Sequence, residues 1–398
     1  MLVQFMLKNV LSFRDETILD MTAINAYKEH GSNLIDIGLK EKYLKTAAVY
    51  GANASGKSNI YFALTYFQQI VRESLNNVET GDRIAIDKYY VPFAFENDNK
   101  DNSEFEIIMI LGNFEYQYGF SYNAAYIAEE WLYRKSLTTN RKITLFERKA
   151  AEVKFGATIR KECEVYSAQL PVETLVLSFF NKLKLKTTVF KDAYSGIMDI
   201  FVVPTDFWED RRELKLFLPS VIDHEKEKLL DFLNAIDSGI RTIKYDESEK
   251  DIRFTAFHRG KNGEDYPLNL YAESEGTLKS IMLFIYVRMA ILNDASLFVD
   301  ELNVKLHPLL LKFIINLFYE EDSRAQLIYT THDTTLMDKR FFRRDQIWFV
   351  QKDEYGYSEL SALSDFRIRS DASFEKDYLA GVYGGIPLLK EFSLKEGE

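Results

Sequence analysis

The stretch Gly51-Ala52-Asn53-Ala54-Ser55-Gly56-Lys57-Ser58, here named the glycine loop, decides how this chain folds. A short apolar segment, residues 47–50, leads into it, and residues 60–71 after it carry apolar side chains at helical spacing. A glycine loop between a strand and a helix binds phosphate, because backbone N–H groups converge on the anion and the helix N-terminus adds partial positive charge. The pattern therefore predicts a central strand, a nucleotide-binding loop and a helix of about four or five turns.

The residue types in the loop predict its ligands. The two glycines allow the tight path, Lys57 is placed to reach the outer phosphates, and the hydroxyl of Ser58 can ligate a bridging magnesium ion. ATP and Mg²⁺ are the expected ligands, and the sequence leaves the choice between ATP and GTP open. The predicted nucleotide-binding residues are Gly51, Ala52, Asn53, Ala54, Ser55, Gly56, Lys57, Ser58 and Asn59.

An acidic pair supplies what the glycine loop lacks for hydrolysis. One carboxylate must hold the magnesium ion, and another must orient or activate the attacking water. Asp300 and Glu301 directly follow the apolar run of residues 296–299. In parallel sheets the carboxyl ends of strands meet the ligand. We therefore predict Asp300, with Ser58, as a metal ligand and Glu301 as the catalytic base.

Composition and charge narrow the class of protein. The chain has 398 residues, of which 46% are hydrophobic and 28% charged, as in folded soluble proteins. Its formal charge of -11 repels a phosphate backbone at long range, so DNA binding would need a local basic patch. The single cysteine, Cys163, cannot form an internal disulfide, which favours a cytoplasmic location. The longest apolar stretch, residues 281–292, is too short to cross a bilayer, so no membrane role is expected.

The order of predicted elements indicates an α/β fold in three parts. Residues 1–157 form an N-terminal lobe with the glycine loop and an antiparallel β meander between residues 89 and 146. Residues 158–236 form a helical insertion, with Pro204 and Pro219 as joints between helices. Residues 237–398 form a C-terminal lobe in which strands and helices alternate, which predicts a parallel sheet.

Two further motifs carry a resemblance to a known family. Glu273-Ser274-Glu275-Gly276-Thr277 opens a long apolar helix and resembles the signature motif of ATP-binding-cassette (ABC) ATPases in its SMC-like and OLD-like form. From the residues alone, Ser274 is equally well a helix N-cap. Thr330-Thr331-His332-Asp333 follows a strand and resembles the switch histidine of the same ATPases. From the residues alone, a histidine at such a place is more often an ordinary surface or core residue.

The resemblance covers nearly the whole chain. Asn9-Val10-Leu11-Ser12-Phe13 resembles the family's opening strand, Leu306-His307-Pro308 resembles the turn after its catalytic glutamate, and residues 344–349 and 378–384 resemble its tail. Within the family, the chain looks most like ATPase components of phage-defence pairs, such as AriA of the PARIS system and the RloA proteins. The implied fold is an ABC-ATPase-like P-loop fold with a mixed parallel core sheet, an antiparallel β meander and a helical insertion.

The resemblance also implies a mechanism. In these ATPases the signature of one subunit completes the site of another, which implies at least a head-to-tail dimer in which Ser274, Glu275 and Gly276 act in trans. Glu301, His332 and Lys57 are the implied catalytic residues. The signature lacks its usual second glycine and glutamine, the negative charge of Glu275 is expected to slow turnover, and no glutamine-loop residue can be assigned.

The expected function is a slow, regulatory ATPase switch that controls a separate effector. By resemblance, the effector is a toxic nuclease encoded nearby, and its release follows detection of a phage protein. The alternative is an SMC-like DNA-repair or recombination ATPase that binds DNA directly, through the basic residues of 181–186 and 367–369. A transporter subunit is disfavoured, because no membrane docking segment is evident.

Overall fold

A six-stranded sheet forms the centre of the protein. The computed structural model describes residues 1–75, 85–96, 99–236, 238–248, 251–320, 322–369 and 372–387. In spatial order the strands of the central sheet are β11 Ile200–Val203, β15 Ser296–Val299, β16 Gln326–Thr330, β5 Thr46–Gly51, β17 Ile347–Lys352 and β18 Ser358–Ala362. Neighbouring strands are parallel from β11 to β17, and β18 is antiparallel to β17. The predicted parallel sheet is confirmed, and its near-continuous apolar strands suit burial on both faces.

A second sheet is antiparallel and lies on one side of the central sheet. In spatial order its strands are β10 Glu152–Phe155, β9 Lys142–Lys149, β8 Ile127–Ser136, β7 Phe114–Tyr122, β6 Ser103–Leu111, β1 Leu2–Lys8 and β2 Thr17–Asp20. Strands β6 to β10 are joined in sequence order as hairpins, which confirms the predicted meander.

Smaller sheets and the helices complete the fold. The remaining strands are β3 Leu34–Ile35 paired with β4 Tyr43–Leu44, and the antiparallel set β12 Ile240–Ser248, β13 Asp251–Arg259 and β14 Asp265–Asn269. The α-helices are α1 Lys57–Glu73, α2 Ala85–Lys88, α3 Arg160–Cys163, α4 Val176–Lys182, α5 Val189–Met198, α6 Arg211–His224, α7 Lys226–Ala235, α8 Glu275–Leu292, α9 Pro308–Glu320 and α10 Phe374–Leu379. None of the helices in these described segments is long and apolar enough to span a membrane.

Two hydrophobic cores lie on opposite sides of the central sheet. Helix α1 packs between this sheet and the antiparallel sheet, where the ring of Phe67 lies 5.8 Å from Phe105 and 5.7 Å from Phe120. Helices α8 and α9 pack on the other side. Residues 279–287 of α8 are all buried, as expected for a helix that is apolar around its whole circumference. The glycine loop thus emerges between two well-packed layers.

Two local predictions were wrong. Residues 3–13 were expected to form a strand with a short break, but β1 ends at Lys8 and residues 9–13 form a turn in which Asn9 and Leu11 have φ values of 53° and 56°. The side chain of Asn9 stabilises this turn, because its amide donates to the carbonyl of Asp101 and its oxygen accepts from the amide of Phe93.

The second error concerns Pro219, which was expected to separate two helices. It lies inside α6 instead. A proline removes one backbone hydrogen bond of a helix. Leu214, Leu218 and Ile222 bury one face of α6 on both sides of the proline, and this packing keeps the helix continuous.

The segment of residues 158–236 also supplies a strand to the central sheet. Its helices α3 to α7 are interrupted by β11, which pairs in parallel with β15 at the edge of the sheet. Thr205 lies two residues after the end of β11, so this segment brings a side chain to the carboxyl end of the sheet.

Candidate nucleotide site

The two glycines of the glycine loop are fixed by close approach as well as by backbone conformation. A Cβ atom on Gly51 would lie 2.5 Å from the carbonyl oxygen of Val350, and one on Gly56 would lie 2.5 Å from the Oγ of Ser358. Gly56, at φ 110°, also adopts a backbone conformation that side chains disfavour. Helix α1 begins at the next residue, so its N-terminal N–H groups point into the loop. The loop therefore has the backbone cradle that phosphate binding requires.

Lys57 lies inside this cradle. Its side chain is 5% exposed, and Nζ donates hydrogen bonds to the carbonyls of Gly51 at 2.8 Å and Ala52 at 2.9 Å. Burial lowers the pKa of Lys57, and the nearby carboxylates of Glu301 and Asp300 oppose that shift. The amine is thus held at the loop, beside both members of the acidic pair.

Asp300 is contacted by side chains from three separate segments of the chain. Its carboxylate is 5% exposed and accepts hydrogen bonds from three hydroxyls. Ser58 donates to Oδ1 at 3.2 Å, Thr330 donates to Oδ1 at 2.6 Å, and Thr205 donates to Oδ2 at 2.9 Å. These donors come from α1 and from the ends of β16 and β11, so three segments converge on one carboxylate.

The donor set fits magnesium. Mg²⁺ prefers oxygen ligands and is commonly held by one or two protein groups together with substrate phosphates. The hydroxyl of Ser58 and the carboxylate of Asp300, adjacent at 3.2 Å, are the residues that would hold it. A bound Mg²⁺ ion would neutralise charge on the phosphates.

Glu301 sits on a strained turn immediately after Asp300. Its φ of 47° is left-handed, a conformation that costs a non-glycine residue about 1–3 kcal/mol. Its amide donates to the Oγ1 of Thr330 at 2.7 Å, and that same hydroxyl donates to Asp300. Thr330 is fully buried and therefore couples the orientation of the two acidic residues.

His332 lies beside the turn that follows Glu301. The imidazole is exposed, and the side-chain amide of Asn303 lies 3.2 Å from its Nε2. Asn303 is buried and accepts a hydrogen bond from the Oγ1 of Thr331 at 2.8 Å. The turn after Glu301 thus connects the acidic pair with His332.

The signature residues lie at the surface, at the N-terminus of α8. Ser274 is the N-cap: its Oγ accepts from the amide of Thr277 at 3.1 Å, as the residues alone suggested. Glu275 forms a 2.8 Å ion pair with Lys305, and both side chains are more than half exposed. A Cβ atom on Gly276 would lie 3.0 Å from the carbonyl of Lys305. The signature therefore contacts the turn after Glu301 in its own chain.

The last described segment covers the glycine loop from the other side. The ring of Tyr378 in α10 stacks on Phe349 with centroids 5.3 Å apart, and its hydroxyl donates to the carbonyl of Gly385 at 3.0 Å. A Cβ atom on Gly385 would lie 3.6 Å from the Cα of Gly51. Residues 374–387 thus support the start of the loop.

Several residues that contact the candidate site were given no role in the sequence analysis. Thr330 had a local signal, because it is the last residue of a buried strand and the first residue of the histidine motif. Thr205 had none, since it lies 95 residues from Asp300. Lys279 was noticeable as a charged residue two residues before the apolar run of residues 281–287 in α8. Gln68, a buried residue of α1, donates to the carbonyls of Ile197 and Ile200 at 2.8 Å and so holds α5 against α1.

The glycine loop, the buried aspartate at a strand end and the adjoining glutamate, set on this sheet, define a protein with the P-loop ATPase fold. Residues 47–338 match the model of the family described as "AAA domain, putative AbiEii toxin, Type IV TA system", and the chain belongs to this family.

Comparison with solved structures gave a number of similar chains, two of which are described here. One is described as "Crystal structure of the SmcHead bound to the C-winged helix domain of ScpA", with 15% identity, a TM-score of 0.44, and coverage of 94% of this chain and 99% of that chain. The other is the SMC head domain from Thermotoga maritima, with 13% identity, a TM-score of 0.42, and coverage of 92% and 99%. Comparison with curated proteins gave no significant match.

Proposed function

We propose that this protein is an ATP-hydrolysing switch that works as a head-to-tail oligomer. ATP is clamped between the glycine loop of one copy and the signature of another, formed by Ser274, Glu275 and Gly276. One observation carries the proposal: Ser58 and Asp300 meet within the chain, whereas Ser274 and Glu275 are exposed, so the signature is free to face a neighbour. The N-terminus of α8 offers partial positive charge to a phosphate of that neighbour's nucleotide.

Within each site the chain's own residues divide the work. Lys57 binds the outer phosphates, Glu301 orients and deprotonates the attacking water, and His332 approaches the same phosphate from the adjoining strand end. The ion pair with Lys305 offsets part of the charge that Glu275 brings towards phosphate. Because a weakened signature slows hydrolysis, the expected turnover is that of a regulatory switch.

The first test replaces Glu301 by glutamine, which keeps the shape of the side chain and removes its basicity. We expect ATP binding to persist, hydrolysis to fall by about 100-fold or more, and an ATP-dependent oligomer to accumulate in size-exclusion chromatography. Unchanged hydrolysis together with a size that does not respond to ATP would reject the switch.

A mixing experiment tests the shared site. Lys57→Ala removes the phosphate-binding lysine and Ser274→Arg blocks the signature, so each variant alone is expected to be inactive. Mixed oligomers contain one site with an intact glycine loop and an intact signature, and ATP hydrolysis should reappear. If mixing pre-dissociated variants restores no activity, the site is not shared between copies.

We further propose that the switch controls a separate effector in anti-phage defence, as in the pairs that contain AriA or RloA. Support comes from the sequence resemblance and from the family description, which names a type IV toxin–antitoxin system. The effector is expected to be a nuclease released when a phage protein is recognised. Affinity purification of the wild-type protein should recover the effector from uninfected cells and lose it after infection. Recovery of no second protein would contradict this part of the proposal.

A DNA-binding role is the rival function, and one surface feature favours it. Lys182, Lys184 and Lys186 alternate with Leu183 and Leu185, and the lysines are exposed while the leucines pack against the core. DNA binding that weakens steeply with salt and is lost on replacing the three lysines by glutamine would favour this rival. The switch proposal expects no such binding by the isolated protein.

A further inference from the structure

Lys279 is a fully buried lysine that the proposed chemistry does not use. It lies five residues after Ser274 on α8 and has no exposed surface. Its Nζ donates a hydrogen bond to the carbonyl of Val304 at 2.8 Å and a longer one to the carbonyl of Glu301 at 3.4 Å. The same nitrogen lies 4.6 Å from the ring centroid of Trp208.

Stability does not explain this lysine. Removing an ammonium group from water is costly, and here its hydrogen-bond acceptors are two backbone carbonyls rather than a carboxylate. Burial lowers the pKa of Lys279 to about 7, against the opposing attraction of Glu301. An apolar side chain of similar length at such a position is often neutral or stabilising. The contacts that Lys279 makes are therefore the better guide to its role.

Those contacts fall on the turn that carries the catalytic carboxylate. Glu301 and Lys305 both have left-handed backbones, with φ values of 47° and 60°, so the turn stores strain at two non-glycine residues. The amide of Val304 donates to the carbonyl of Glu301 at 3.1 Å, which closes the turn. Lys279 donates to the carbonyls at both of these positions and so spans the closed turn.

We propose that Lys279 is a positioning residue, which holds the turn after Glu301 in the conformation that aims the Glu301 carboxylate at the nucleotide. This role rests on the proposed function. Because Lys279 and Ser274 belong to one helix, it also ties the signature to the Glu301 of its own chain. Engagement of the signature by a second copy is thereby transmitted to the catalytic turn of the copy that carries it.

The other links between α8 and the turn are weaker or less direct. The ion pair between Glu275 and Lys305 is exposed, and such pairs contribute about 0–1 kcal/mol. The close approach of Gly276 to the carbonyl of Lys305 limits how near α8 and the turn can lie, but it is not a hydrogen bond and does not orient the turn. Lys279 is the link that contacts the carbonyl of Glu301 itself.

The test replaces Lys279 by methionine, which keeps the length of the side chain and removes the donor. Misplacing a catalytic group by about 1 Å costs on the order of 100-fold, so we expect kcat to fall about 10- to 100-fold. The KM for ATP should stay within about twofold, because Lys279 does not touch the glycine loop. Thermal stability should be unchanged or higher than that of the wild type.

Arg288→Met is the matched control. It removes a cation from the same helix, and the side chain of Arg288 is bound to Glu225 at 2.8 Å, away from the turn. We expect kcat of this variant to stay near that of the wild type. Lys279→Arg keeps hydrogen-bond donors at residue 279 and should retain a higher kcat than Lys279→Met. If the methionine variant fails to fold, the kcat of Lys279→Arg is compared with that of the wild type instead.

A double variant separates positioning from a general structural effect. In the Glu301→Gln background, Lys279→Met should not lower the residual rate further, since the carboxylate through which it acts is already gone. A folded Lys279→Met protein with wild-type kcat, or a rate that falls equally in both backgrounds, would overturn the role of Lys279 alone. A wild-type protein without ATP hydrolysis would overturn the proposed function itself, and this role with it.

Discussion

Replacing Thr330 by valine removes a single oxygen atom from the centre of the site. The hydroxyl of Thr330 donates to Asp300 at 2.6 Å and accepts from the amide of Glu301 at 2.7 Å. Valine has nearly the same shape, so the fully buried site is filled but both hydrogen bonds are lost. The amide of Glu301 then has no acceptor, and Asp300 keeps two of its three hydroxyl donors.

The expected loss of stability follows from these two bonds. A hydrogen bond to a charged group is worth about 1.5–3 kcal/mol, and a buried amide left without a partner costs about 1–3 kcal/mol. The sum, reduced for relaxation of the turn, gives a decrease of about 3 kcal/mol in the free energy of unfolding. Because the amide of Glu301 also orients the candidate base, kcat should fall about 10- to 100-fold.

Thr205→Val is the matched control. Thr205 donates to the same carboxylate at 2.9 Å, but it is half-buried and leaves no amide unpaired. Water can replace its hydroxyl, so we expect a decrease of about 1 kcal/mol. Urea unfolding followed by the fluorescence of the three tryptophans measures both variants, and phosphate release measures hydrolysis. If Thr330→Val is no less stable than Thr205→Val and hydrolyses ATP at the wild-type rate, the hydroxyl does not couple Asp300 to Glu301.

Three further predictions follow from other parts of the molecule. Gly56→Ala should abolish ATP binding in a filter assay, because its Cβ would meet the Oγ of Ser358 at 2.5 Å, whereas Gly31→Ala, with no atom within 4 Å of its Cβ, should bind normally. Cys163 is fully buried and its pKa is raised to about 12 by burial, so Ellman's reagent at pH 8 should react only after unfolding; rapid reaction of the native protein would contradict this. The pKa of Lys279 is lowered from 10.5 to about 7, so the unfolded chain binds more protons above pH 7, and this residue should add about 2 kcal/mol of stability between pH 7 and pH 9. Lys279→Met should lack that increment in urea titrations at the two pH values.

The fold was predictable where its signals lie in consecutive residues. The strand, the glycine loop and α1 follow one another, and the acidic pair follows its strand directly, so local patterns and the parallel-sheet rule were enough to bring Ser58 and Asp300 to one edge. Thr205 could not be foreseen, because its place depends on β11 joining the far edge of the sheet. The direction in which Lys279 points could not be predicted from the sequence either, because a helix that is apolar around its whole circumference has no preferred buried face.

The errors have the same physical origin. The turn at residues 9–13 is held by Asn9 through partners more than 80 residues away, and these tertiary contacts outweigh the local preference for a strand. Pro219 stays inside α6 because packing on both sides outweighs one missing hydrogen bond. In both cases contacts between distant parts of the chain decided the local structure.

The cover that residues 374–387 place on the glycine loop has a consequence during synthesis. The ribosome makes the loop more than 300 residues before it makes Tyr378 and Gly385, so the nascent loop has no support on that side for most of translation. Nucleotide binding should therefore mature late, once the last of these residues has left the exit tunnel. If the protein works as the proposed switch, an incomplete chain cannot hydrolyse ATP, and fragments ending before residue 374 should be inert rather than deregulated.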